Sequence, residues 1–260
     1  MKIKIYQVDA FASHVFEGNP AAVCPLDEWL NDDILQKIAE ENNLSETAFF
    51  VSSAQAIELR WFTPRGEVDL CGHATLATAH VLYEHLGFKS PRVKFQTKSG
   101  ELVVTKNDSG FSMDFPASHP TIIDAPINLL EGLGNVSPKQ VLASFDYIIV
   151  LNSEEEVKNL NPDLSKWLAL DLRGVVVTAV GTDVDFVSRC FFPKLGVDED
   201  PITGSAHCEL APYWSSNLKL SLLTGRQISN RSGIVHCEYK GERVILTGNA
   251  VDYMSGEINI

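Results

Sequence analysis

Three side chains sit where a polypeptide could move a proton: Glu46 in Leu44-Ser45-Glu46-Thr47, His73 in Cys71-Gly72-His73-Ala74, and Asp200 in the acidic run before Thr203-Gly204-Ser205. Glu46 follows a short polar turn and precedes the apolar run Ala48–Val51. Burial at such a strand entrance lets a carboxyl both take and give a proton near neutral pH; the plainer reading is a solvated carboxylate. His73 comes after Gly72, where an extended segment breaks into a helical pattern, so its ring is expected at a helix N-terminus whose dipole favours the neutral imidazole. Asp200 lies four residues before Gly204, placed to accept backbone N–H bonds or touch a substrate, or simply to cap the helix that follows. The backbone N–H groups at Gly72, His73 and Ala74 are placed to hold a carboxylate or phosphate, because helix starts leave donors unpaired.

Cys71 stands at the same helix start, where a thiol can be activated. Racemisation with one thiol on each face would require a second cysteine at the matching junction; Thr203 occupies that place and Cys208 falls about one turn inside the helix. Cys71 therefore reads as structural and buried. His73 and His80, with Cys71 nearby, are a weak metal set, since neither HExxH nor paired CxxC is present. The glycines form neither GxGxxG nor a P-loop, so the expectation is an enzyme without metal, dinucleotide or ATP.

These residues need elements to hold them. Residues 2 to 12 alternate like a strand, Gly18-Asn19-Pro20 signals a turn, and a short strand follows over residues 21 to 24. Asn31 is placed to cap a helix that stops near Asn42 and Asn43, and strands are expected at 48 to 51 and 57 to 63. The helix after Gly72 is rich in Ala and Thr and suited to deep burial. Three strands at 92 to 97, 101 to 106 and 110 to 115 follow. The proline-rich stretch 116 to 126 marks the expected boundary between domains 1–118 and 119–260. Beyond it come strands at 147 to 151, 174 to 180 and 185 to 192, a capping box at Ser153 and Glu156, a helix from Gly204, and closing strands at 233 to 239, 242 to 247 and 256 to 260. The two Gly-initiated junctions, each preceded by acidic residues and a Phe-Pro or Phe-Thr-Pro step, point to a duplicated α+β domain. Two helix starts facing one another across a cleft would suit a small carboxylated substrate.

Composition narrows the partners. With 45% hydrophobic and 21% charged residues among 260, the chain has the make-up of an ordinary globular protein. Its net charge of −13 argues against nucleic acid, which requires a basic surface. No apolar run is long enough for a membrane span or a signal peptide. Five cysteines without regular spacing fit a reducing, cytoplasmic setting better than a disulfide framework. The apolar, antiparallel halves are compatible with a homodimer.

The stretches VDAFASHVFEGNPAAVCPL, NNLSETAFF, FTPRGEVDLCGHATLATAHVL, SRCFFP and EDPITGSAHCELAPYW, in this order, resemble the phenazine biosynthesis family typified by PhzF. The resemblance covers nearly the whole chain. It implies the diaminopimelate-epimerase-like fold: two pseudo-symmetric α+β halves, each a mostly antiparallel sheet curled round a central helix, with the final strand crossing back to the first half. It also implies an isomerase in which Glu46 is the general acid/base, His73 its partner and Asp200 the acid of the second junction, with backbone groups at Gly72, His73, Gly204 and Ser205, and Ser45 nearby, holding the substrate carboxylate. Cofactor-independent isomerisation of a small carboxylated metabolite is the reading this favours. Amino-acid racemisation and non-catalytic binding of a metabolite or protein are the alternatives.

Overall fold

Alternating apolar residues over Lys2–Ala10 form β1, the first strand of a computed structural model that describes residues 1–53 and 55–260. In chain order follow β2 (Asn19–Leu26), α1 (Asp32–Asn42), β3 (Glu46–Ser52), β4 (Ile57–Thr63), β5 (Gly66–Val68), α2 (Gly72–Glu84), β6 (Arg92–Thr97), β7 (Gly100–Asn107) and β8 (Gly110–Pro116). Next come β9 (Thr121–Ile122), α3 (Ile127–Gly132), β10 (Gln140–Ala143), β11 (Tyr147–Val150), α4 (Glu154–Asn159), α5 (Leu164–Trp167), β12 (Val175–Val180), β13 (Phe186–Phe192) and β14 (Val197–Asp200). The chain finishes with α6 (Gly204–Leu218), β15 (Leu222–Gln227), β16 (Gly233–Tyr239), β17 (Arg243–Gly248) and β18 (Ala250–Asn259). Two compact units result, Met1–Asp114 with Thr247–Ile260, and Phe115–Leu246.

In the first unit β1 lies antiparallel between β2 and β18, β2 runs parallel to β3, and β4 pairs antiparallel with β3 and β5 but parallel with β6. Antiparallel pairs predominate, yet the sheet is mixed, because β2 and β4 are joined to their parallel partners by the crossovers that contain α1 and α2. Ala21, Ala22, Val23 and Cys24 are all fully buried, so β2 is covered on both faces. Ala22 and Cys24 pack with Leu35, Ile38 and Ala39 of α1. α2 packs against β1, β2 and β3, and residues 73 to 82 of that helix are buried without interruption. Its small side chains permit this: Ala74, Ala77 and Ala79 let neighbouring strands approach, while Thr75 and Thr78 return their hydroxyls to the carbonyls of Cys71 and Ala74 at 2.5 and 2.7 Å.

Two capping expectations are corrected. Asn31 precedes α1 without a side-chain cap; its carbonyl accepts the N–H groups of Ile34 and Leu35 instead. Ser153 caps α4 through the N–H of Glu156, but the Glu156 carboxylate reaches back to the N–H of Asn152 at 2.8 Å, one residue beyond a regular capping box.

In the second unit β11 runs parallel to β12, β12 antiparallel to β13, and β13 antiparallel to β14 and parallel to β15. One core gathers Leu129, Ile149, Val157, Trp167, Val177 and Phe191 beneath α3, α4 and α5. α6 packs on β15 and β16 and is buried from Ala206 to Pro212. Pro212 lies inside this helix and has no N–H to give the carbonyl of Cys208. That carbonyl instead accepts the N–H of Ser118 at 3.0 Å, which ties residue 118 to the helix.

Candidate active site

Glu46 is the first residue of β3, delivered by the turn after Asn43, whose left-handed backbone ends α1. His73 is the second residue of α2. The two side chains meet, with Nε2 of His73 2.9 Å from Oε2 of Glu46 and side-chain exposures of 8% and 17%. The alignment is poor for a hydrogen bond, and neither atom is satisfied by any other group. They face each other as an ion pair whose remaining bonding directions are unspent. On the other edge of the ring, Nδ1 of His73 lies 3.5 Å from Sγ of Cys71, the N-cap residue of α2. Ser45, half-buried, directly precedes Glu46, and Gly72 opens the helix.

The electrostatics differ from the expectation of a neutral ring. Burial works against the His73 imidazolium, but its contacts with Cys71 and Glu46 outweigh it and hold the His73 pKa well above its ordinary value. Glu46 is the durable partner of the two, since burial and the Glu46 charge both push the Cys71 thiol up. A protonated thiol is a poor base, which agrees with a structural role for Cys71. The ligand atoms of Glu46, Cys71 and His73 all lie within 4.8 Å of one another, so they are also the residues here that could hold a metal ion.

The remaining candidates belong to the second unit. The Asp200 carboxylate accepts the Thr203 hydroxyl at 2.5 Å, and Gln227 bridges the Asp200 carbonyl and the Thr203 N–H at 2.6 and 2.9 Å. Asp200 therefore braces the N-cap of α6. Thr203 has the extended backbone of an N-cap, and Gly204 begins the helix. The Ser205 hydroxyl accepts Nη2 of Arg173 at 2.9 Å. Within its unit Asp200 is thus bonded to Thr203 while Ser205 is bonded to Arg173, and no bond joins Asp200 to Ser205 among the described residues.

Arg173 leads to groups the sequence reading did not single out. Its guanidinium forks onto Asp146, a fully buried carboxylate, and lies over the rings of Phe145 and Phe192 at 5.3 and 5.0 Å. Glu209, also fully buried, accepts the Asp146 N–H at 3.3 Å, and its other oxygen has no partner. Burial, and then the Asp146 charge, push the Glu209 carboxyl far above the usual carboxylate range. One signal was available: Glu209 is an ionisable residue inside the apolar helical run Ala206–Trp214. His207 is likewise buried, bonded through Nδ1 to the Thr203 carbonyl at 2.8 Å, and burial lowers its pKa to about 4. Two open hollows of the second unit, about 390 and 570 Å³, are lined by other residues, including Tyr147 and Asp171 in one and His119 and Tyr213 in the other.

Comparison with known proteins fits this fold. Residues 8–256 match the family described as phenazine biosynthesis-like protein, and the chain belongs to that family. It is 52% identical over 260 residues to an uncharacterized isomerase of Pseudomonas aeruginosa, covering 100% of both chains. The solved structure of a PhzF-family phenazine biosynthesis protein from Enterococcus faecalis has a TM-score of 0.97 and 47% identity, with 100% of both chains covered. A hydroxyproline epimerase from Agrobacterium vitis shares the fold alone, with a TM-score of 0.61 at 10% identity over 99% of this chain and 92% of that one.

Proposed function

We propose that this protein is an isomerase of a small carboxylated metabolite, with Glu46 as the general acid/base that takes a proton from one carbon and returns it to another on the same substrate face. The observation that carries this reading is the Glu46–His73 pair: a part-buried carboxylate 2.9 Å from an imidazole at the start of a buried helix. Transfer begins with the Glu46 carboxylate forming an O–H bond as the substrate C–H bond breaks. The electron pair is delocalised toward the substrate carboxylate while the carbon–carbon double bond shifts. The new carbon–hydrogen bond then restores Glu46. The His73 imidazolium balances the charge of Glu46, and the N–H groups of Gly72 and His73, with Ser45, hold the substrate carboxylate. Asp200 is the acid of the second helix start in this reading, and Gly204 and Ser205 supply that start's backbone donors.

Local likeness between the two helix starts supports assigning them related roles. Cys71 and Thr203 are both extended N-caps before glycine. Glu67 and Glu199 each stand five residues before that glycine and each accept a bidentate arginine fork, from Arg60 and from Arg189, with Nε contacts of 2.7 Å in both. The difference in spacing falls in the turn between arginine and glutamate, where the second junction contains the 3₁₀ turn Pro193–Leu195. Thr203 in place of a second thiol weighs against two-thiol racemisation.

The test is proton exchange and turnover measured by NMR across a panel of cyclohexadiene carboxylates. For any member that reacts, Glu46→Gln should lower turnover by about 10²–10⁴-fold while the circular dichroism spectrum and ligand-induced thermal shift persist. Undiminished turnover in the variant would overturn the assignment. In deuterated solvent, retention of substrate hydrogen in the product favours the single-base shift, whereas complete exchange with inversion at one carbon favours epimerisation.

A further inference from the structure

At the far end of α2 from Gly72, three side chains converge that the proposed reaction does not use. His80 and His85 direct Nε2 at the same oxygen, Oδ1 of Asp252, at 3.1 and 2.9 Å, and all three ligand atoms lie within 4.8 Å of one another. We propose that His80, His85 and Asp252 form a binding site for a zinc-class divalent metal ion that clasps the end of α2 to β18.

The convergence is not what regular elements would give. Residues five apart are separated by roughly 140° around an α-helix, so His80 and His85 would not share a face if α2 continued. The helix stops at Glu84, and His85, the C-cap residue, still gives its N–H to the Val81 carbonyl, yet its ring lies beside that of His80 with centroids 6.3 Å apart. Asp252 is placed by a second irregularity. The β1–β18 register shifts between Gln7, opposite Met254, and Val8, opposite Asp252, so β18 holds an extra residue just where the carboxylate must point. Bulges of this kind re-aim side chains at sites.

Both rings are also held in orientation. Tyr6 packs on His85 with centroids 4.6 Å apart, Phe111 meets His80 edge-on at 5.9 Å, and the two imidazoles stand at 68° to one another. Two inclined imidazoles and one carboxylate suit a tetrahedral ion. Metal–ligand bonds of about 2.0–2.2 Å set ligand atoms somewhat over 3 Å apart, so the 2.9 and 3.1 Å contacts need open only slightly. The donor set favours zinc, cobalt or nickel over calcium or magnesium, which require oxygen cages. His80 is buried, while Asp252 and His85 are exposed, leaving an entry path and a fourth position for water.

The experiment uses the full chain without a polyhistidine tag, stripped with chelator, and reads Zn²⁺ binding by calorimetry and Co²⁺ binding by visible absorption. One equivalent of Zn²⁺ should bind, and the Co²⁺ complex should show ligand-field bands without the near-ultraviolet charge transfer of a thiolate ligand. His85→Ala and Asp252→Asn, each checked for native circular dichroism, should each weaken binding at least about tenfold, and Cys71→Ser should leave it unchanged. Three outcomes would overturn the site: no saturable binding, binding indifferent to His85 and Asp252, or a thiolate band lost in Cys71→Ser, which would place the ion on the Glu46, Cys71 and His73 cluster instead.

Discussion

Buried in the second turn of α6, Glu209 keeps its proton at neutral pH because ionisation there would place an unpaired charge in the interior beside the Asp146 carboxylate. A carboxyl whose folded-state pKa is raised contributes stability that is fully present below its unfolded value, and that contribution is lost as pH rises toward the folded pKa. Glu209→Gln, which mimics the protonated acid, should therefore gain stability relative to the parent as pH rises from 5 to about 9. Urea midpoints measured across that range check it; a constant difference would show that Glu209 is ionised in the native protein. At this scale the sequence disclosed Glu46 and His73, because a polar turn before an apolar strand and a glycine before a helix are local signals. It did not disclose Asp146 and Arg173, whose significance is a contact between residues 27 positions apart. The protonation of His73 was misjudged because the helix dipole was weighed without the contacts of Cys71 beside it and of Glu46, which arrives from β3.

Among elements, the β1–β2 connection is tightly held at Gly18. Gly18 holds φ at +67°, and a Cβ there would lie 2.1 Å from the carbonyl oxygen of Ala10. Gly18→Ala combines a left-handed backbone with an impossible contact and should cost at least about 2 kcal/mol, read as a lower thermal midpoint. The turn at Gly18 was plain in the sequence, as were the strand at 57 to 63 and the glycine-initiated helices, although Asn19 and Pro20 already belong to β2. Other elements were not. β10 has only four residues, too few to establish a period. β15 carries Gly225 at its centre, which weakens the strand signal; the structure gives the reason, since a Cβ there would lie 2.4 Å from the Phe186 ring.

For the whole molecule, the five cysteines are all free and buried. Burial pushes the thiols of Cys24 and Cys208 up to about 12 and raises those of Cys71, Cys190 and Cys237. A disulfide-exchange reagent should find almost no reactive thiol in the native protein and five after denaturation; a fast-reacting native thiol would identify an activated cysteine. Pairing of β1 with β18 sets an order on synthesis. Every residue of Phe115–Leu246 leaves the ribosome before Ala250–Asn259, so the second unit's chain is complete while β1 still lacks one neighbour. At about 5–20 residues per second that open edge persists for roughly 10–50 s, long enough to meet a nascent chain on the same messenger. Lys2 and Lys4, which will later face Asn259 and Glu257, lie along the waiting edge, and their charges disfavour strand pairing between neighbouring nascent chains.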